Sequence, residues 1–238
     1  MKFPRLPNYF FMPSPLPYVV HPIPFEDPFL CYRKLAGLGP SLFLDSARTH
    51  PETGRYSFLA FSPYRSFSAR GNEIIIQTPS GPPQTCFGNP FLYLRPYLDR
   101  FRIDRPPELS PFIGGAAGYL GYGLAPWLEK ISFREKPAFP AHDIYLMFFD
   151  TFIVFDHLER TGKIIYFPAP EAMDGTPWDT LKKKGEDQTS EIQERLFGSD
   201  LESSDEFKCD RGNSPIITPE ISREQFEWMV KEALGYIG

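Results

Sequence analysis

Residues 43–56 read FLDSARTHPETGRY and hold the types that could grip a small zwitterion. Asp45 offers a carboxylate to an ammonium group. Arg55 offers a planar fork of donors to a carboxylate, and Ser46 a hydroxyl to either. Two strand-like runs flank them, so all three fall at strand ends around one loop. The same residues also suit a plain strand-end turn with solvated polar groups. A second pair, Asp150 and Asp156, lies six residues apart in the apolar run IYLMFFDTFIVFDH. On a single strand that spacing puts both carboxylates on one face, where they could share acid–base work or hold a metal. The alternative is a hydrogen-bonded bend at Asp150 and a turn begun by Asp156 and His157. His21, His50, His142 and His157 each stand in or beside a turn or strand end. None has a serine or cysteine at a recognisable spacing, so no nucleophile is assigned.

Residues 112–124, FIGGAAGYLGYGL, spend five glycines, at 114, 115, 118, 121 and 123. No GxxxxGK[ST] string is present, and GYLGYG reverses the dinucleotide spacing. The segment reads as an inner strand packed closely on a second sheet or helix, with direct ligand contact as the other reading.

The elements that must position these groups are legible in outline. Residues 1–25 are a Pro-rich extended lead-in. Asp27-Pro28 and Asn89-Pro90 are helix starts, the second helix running to about Ile103 with Pro96 inside it. Residues 42–47 and 56–61 read as strands, and Gly71-Asn72 as the turn of a hairpin between strands 65–70 and 73–78. A short helix is expected over 125–131, one long strand over 144–157, and an antiparallel return over 163–167. Residues 169–219 read as a polar connector containing a helix near 178–197. The segment 220–238 opens with a capping box at Ser222 and Gln225 and continues as an amphipathic helix.

The chain has 238 residues, 42% hydrophobic and 16% aromatic, enough for a substantial sheet-based core. A net charge of −5 with scattered basic residues gives no reason to expect nucleic acid or a membrane as partner. Prolines at 4, 7, 13, 15 and 17 break the N-terminal segment, which reads as neither signal peptide nor membrane span. Cys31, Cys86 and Cys209 form no CxxC and no even set, which fits a reducing cytoplasm without zinc or disulfides.

The order FLDSA, GRYSFLAFSP, PFIGGAAGYLGYGL and FFDTFIVFDH resembles the N-terminal region of component I of the chorismate-utilising amine synthases. These are aminodeoxychorismate synthase and anthranilate synthase, and the resemblance runs from about Pro22 to the end. It implies an α+β fold of two stacked, mainly antiparallel sheets with helices on the outer faces, incomplete without a C-terminal half. The boundary of the N-terminal domain would be 26–168, and 220–238 would be the first helix of a truncated catalytic domain. The family aminates chorismate with Mg²⁺ and with ammonia from a glutamine amidotransferase subunit or domain. Its catalytic and metal-binding residues lie in the C-terminal half, so none is assigned to this chain. The resemblance also carries a tryptophan site onto Leu44, Asp45, Ser46, Arg55 and Tyr56. Asp45 stands where the anthranilate pattern has Glu, and Gly123 where an Asp is common. The short loop and Gly-Arg-Tyr-Ser are more similar to the aminodeoxychorismate branch of folate synthesis. Anthranilate synthase component I, in tryptophan biosynthesis, is the sister reading. A stand-alone amino-acid-binding or interaction module is the reading outside enzymology.

Overall fold

A computed structural model describes residues 18–46, 48, 50, 53–100, 106–131, 141–198, 219 and 221–237. They fall into two compact units divided after Ser199. The first holds ten strands. One five-stranded antiparallel sheet has the order β1 (Val19–Ile23), β10 (Thr161–Tyr166), β9 (Thr151–Asp156), β3 (Tyr56–Phe61), β2 (Ser41–Leu44). The other, also antiparallel and five-stranded, runs β6 (Gln84–Phe87), β5 (Glu73–Gln77), β4 (Arg65–Arg70), β8 (Ile144–Phe149), β7 (Gly115–Leu120).

Alternation along each strand sorts the side chains into three layers. Ala60, Met147, Phe149, Phe152, Val154 and Ile165 pack together between the sheets. Leu59, Ile153, Phe155 and Ile164 point the other way, onto α1 (Pro28–Leu35) and α5 (Trp178–Phe197) through Leu35 and Leu196. Phe67, Ile74 and Phe148 face α2 (Pro90–Asp99) through Leu94. The architecture is α+β, two antiparallel sheets with helices outside. The helix starts are as the caps require. Asp27 accepts the Leu30 N–H at 3.0 Å, and Asn89 the Phe91 N–H at 3.0 Å, each followed by proline.

The largest departure from expectation is at Asp150. The run read as one strand is two: β8 ends at Phe149 in one sheet and β9 begins at Thr151 in the other. Asp150 and Asp156 therefore share neither a strand nor a face. The neighbouring chain crosses the same way, from β3 to β4 through Ser62, whose φ is +52°. Since β3 pairs with β9 and β4 with β8, two bent segments lie side by side through both layers.

Other differences are smaller. Part of the lead-in forms β1, because Val19 and Val20 pair opposite Tyr166 and Ile165, and Pro22 is tolerated on an edge strand. β6 was not expected. α2 stops at Asp99, with residue 103 outside the described residues, and α3 spans only Ala125–Leu128 before Glu129 turns extended. The helix of the polar stretch, α5, buries Leu181 and Leu196, and its Leu196 carbonyl accepts from Lys34 at 2.6 Å. It belongs to the sheet unit. The second unit holds α6 (Arg223–Ile237), begun by the expected capping box: Gln225 N–H donates to Ser222 Oγ at 3.2 Å, and Ser222 N–H to Gln225 Oε1 at 2.9 Å. Among the described residues, no helix is long and apolar enough to cross a membrane. Burial pushes the Cys31 thiol up to about 11, against the nearby Lys34 charge, so it stays protonated; Cys209 lies outside the described residues.

Candidate functional site

The loop between β2 and β3 brings Leu44, Asp45, Ser46, Arg55 and Tyr56 close in the chain, but not around one cavity. Ser46 Oγ donates to the Tyr56 carbonyl at 2.7 Å and closes the base of the loop. Asp45 turns to the helix-facing side of the sheet. It accepts from Ser57 Oγ at 2.8 Å, and that oxygen lies 2.7 Å from His157 Nε2. The Ser57 proton goes to the carboxylate, so the histidine must donate from Nε2. Ser57 also accepts from the Ser46 N–H at 3.3 Å. A fully buried hydroxyl that donates to Asp45 and accepts from His157 and from the Ser46 N–H is wired as a structural hub. His157 thus has a serine partner after all. One hundred residues separate the two, and only the β3–β9 pairing joins them, so no local spacing reveals it.

Arg55 goes to the opposite side, toward the second sheet. Its Nε and Nη2 donate to Asp156 Oδ2 at 2.9 and 2.7 Å, and Glu159 Oε1 stands 3.8 Å away. The guanidinium lies over the Tyr56 ring, 5.0 Å from its centroid. Asp156 Oδ1 accepts the Leu158 and Glu159 N–H groups at 3.0 and 3.1 Å, fixing the turn into β10. Burial opposes the Asp156 charge, but the Arg55 hydrogen bonds, the two turn N–H groups and the Arg55 charge outweigh it, and the carboxyl sits below its usual range. A depressed carboxyl stabilises the fold at every pH above its unfolded value and loses that contribution as pH falls through its folded value. Acid titration of unfolding free energy is therefore expected to fall below pH ~4, and less steeply in Asp156→Asn. An identical acid limb in the variant would contradict this assignment.

Arg55, Tyr56, Glu108, Val154, Asp156 and Lys163 line a cleft of about 400 Å³ between the first sheet and residues 107–110. Lys163 Nζ donates to the Glu108 carbonyl at 3.4 Å. The cleft thus has two cations, carboxylates and an aromatic wall, a set suited to a small amphoteric molecule. Asp45 does not line it. Among the described residues no three His, Cys, Asp or Glu side chains are grouped to hold a metal ion.

The glycine segment is an edge strand, not an inner one. A Cβ on Gly118 would lie 2.0 Å from the Tyr145 carbonyl oxygen, so the close approach is to the backbone of β8 in the same sheet. A Cβ on Gly123 would meet Asp143 Oδ1 at 1.9 Å. That aspartate accepts the Gly71 N–H at 2.6 Å, and its backbone bonds Gly121 N and Ala69 O at 2.7 Å each. A carboxylate from the β8 side thus occupies the space a side chain at 123 would need. Asp150, at the crossing, accepts from Lys184 at 3.3 Å and from Thr151 Oγ1 at 3.0 Å. A further charged cluster escaped sequence reading. Arg65 pairs with Glu171, Arg100 reaches the same oxygen at 3.2 Å, and Arg65 stacks 4.8 Å from the Tyr97 centroid.

No family model matches the chain. Over 138 residues it is 33% identical to anthranilate synthase component 1 of Synechocystis, covering 57% of this chain and 27% of that protein. Over 224 residues it is 26% identical to anthranilate synthase component 1 of Pseudomonas aeruginosa, covering 90% of this chain and 43% of that protein. The chain thus spans less than half the length of these curated relatives. In fold it is similar to the crystal structure of anthranilate synthase component I from Streptococcus pneumoniae, with a TM-score of 0.51 and 20% identity, over 88% of this chain and 42% of that one. These relatives carry the sister name and not aminodeoxychorismate synthase. In sequence this chain is similar to these anthranilate synthase component 1 proteins over part of their length, and in fold to part of the Streptococcus pneumoniae component I structure.

Proposed function

We propose that this chain is the non-catalytic N-terminal part of a chorismate-utilising component I of the anthranilate synthase type. The observation that carries this reading is the likeness to one such protein across nine-tenths of the chain, at well under half of that protein's length. The short loop and Gly-Arg-Tyr-Ser favoured the aminodeoxychorismate branch, but the relatives reported carry the anthranilate name, and the Asp45 carboxylate is spent on Ser57 rather than on a ligand. On this reading the chorismate chemistry, the Mg²⁺ ligands and the docking of a glutamine amidotransferase belong to the rest of a longer protein. The two-sheet unit serves as scaffold, and its cleft at Arg55 and Lys163 holds an amino acid, with L-tryptophan the first to test. The arginine and lysine would take the carboxylate and Glu108 the ammonium, against the Tyr56 ring.

The test compares the complete reading frame containing residues 1–238 with residues 1–238 by themselves. Each is supplied with chorismate, an ammonium salt and Mg²⁺. Anthranilate fluorescence is expected from the long chain and none from the short one. Formation of 4-amino-4-deoxychorismate would assign the sister branch, and absence of both products from the long chain would overturn the reading.

A further inference from the structure

We infer that Arg55 is a shared cation: Asp156 and the carboxylate of a cleft ligand compete for it, so Asp156 sets how tightly that ligand binds. This deepens, and rests on, the amino-acid reading of the cleft. A guanidinium has five N–H donors and suits a carboxylate best when two of them meet two oxygens. Here Nε and Nη2 converge on a single oxygen, Asp156 Oδ2, while Oδ1 is taken by the Leu158 and Glu159 N–H groups. The pairing is therefore not the fork-on-fork arrangement, and a ligand carboxylate can offer Arg55 a better one. Asp156 keeps its two turn hydrogen bonds if Arg55 leaves.

The surroundings permit the exchange. The Arg55 side chain is 33% exposed and the Asp156 side chain 11%. Glu159, 70% exposed, adds only a solvated contact at 3.8 Å. Arg55 precedes β3, and its head rests on the Tyr56 ring, which lines the same cleft. Lys163 reaches that cleft from β10, so a carboxylate drawn to Arg55 meets a second cation. The ligand class is a small carboxylate with an aromatic or apolar body. Its apparent affinity is reduced by the fraction of Arg55 held by Asp156.

The experiment uses residues 1–238 as wild type, Asp156→Asn and Arg55→Ala. Asparagine keeps an oxygen for the two turn N–H groups and removes the charge that holds Arg55. In calorimetric titration Asp156→Asn is expected to bind L-tryptophan about tenfold more tightly than wild type. Tryptamine, which lacks the carboxylate, is expected to show no such gain, and Arg55→Ala is expected to lose tryptophan binding. Independently of any ligand, phenylglyoxal should modify Arg55 several-fold faster in Asp156→Asn, followed by peptide mass. Equal tryptophan affinity in wild type and Asp156→Asn overturns the competition and leaves the amino-acid reading standing. Equal phenylglyoxal rates also overturn it. Faster modification with no tryptophan heat in either protein overturns the amino-acid reading and the ligand half of this inference with it.

Discussion

Phe152→Ala is expected to lower the unfolding free energy by about 3–5 kcal/mol, the range for truncating a fully buried aromatic ring. Phe152 is 0% exposed. It meets the Phe112 ring edge-on at 4.5 Å and the Phe149 ring at 5.7 Å. It sits in the layer between the sheets, two residues past the crossing at Asp150, so the surrounding backbone is held from both layers and has little freedom to close the void. A domain of this size has total stability of only about 5–15 kcal/mol, so the loss would be visible as a large drop in urea midpoint. Phe87→Ala, on a ring 58% exposed in β6, is the control and should change stability by no more than about 0.5 kcal/mol. Equal effects of the two substitutions would mean that the inter-sheet layer is not the packed core described.

Gly118→Ala is expected to cost about 2–4 kcal/mol, more than alanine in place of glycine ordinarily does. The added methyl would stand 2.0 Å from the Tyr145 carbonyl oxygen and 3.0 Å from the Leu146 Cα. Both are backbone atoms of β8, so no rotamer change relieves the overlap, and φ at +156° already disfavours a side chain. β7 must move off β8, weakening a pairing that runs from Gly115↔Phe149 to Leu120↔Ile144. Hydrogen exchange should localise the damage to amides of these two strands. Gly235→Ala in α6 is the contrast. Nothing lies within 4 Å of its added Cβ, and alanine there should raise local helix stability by about 0.5–1 kcal/mol. A neutral Gly118→Ala would remove the account of the glycine segment as an edge strand pressed on its neighbour.

What could be read from sequence is what local chemistry encodes. Asp27-Pro28 and Asn89-Pro90 cap helices because an oxygen meets a free N–H three or two residues on, and Gly71-Asn72 turns a hairpin because Gly71 takes φ of +59°. The helix Trp178–Phe197 was expected within a polar connector, but its docking on the sheet was not legible, because a mostly polar helix hides the few residues it buries. The bend at Asp150 and the turn at Asp156 were among the readings the residues allowed, and both form; that the bend carries the chain into the other sheet was not legible. An apolar run buried on both faces looks the same whether it serves one sheet or two, and no glycine or proline marks the bend. The candidate site failed to assemble as expected because Asp45 bonds Ser57 on the helix-facing side, whereas Arg55 precedes β3, escapes its alternation and folds over the Tyr56 ring onto Asp156. Their partners, Ser57 with His157 and Asp156, are set by which strand lies beside β3. The glycine block was recognised as a close approach, but nothing within it says that the neighbour is β8 or that β7 is an edge.

The paired crossings at Ser62 and Asp150 bear on how this molecule comes apart. Adjacent segments of chain thread from one layer to the other, stitched to each other on both sides of the corner. Neither layer can be peeled away or slid without dragging covalently continuous residues out of the other. Loss of one sheet is loss of both, which makes the sandwich a single all-or-none unit and leaves a half-open form nowhere to stop.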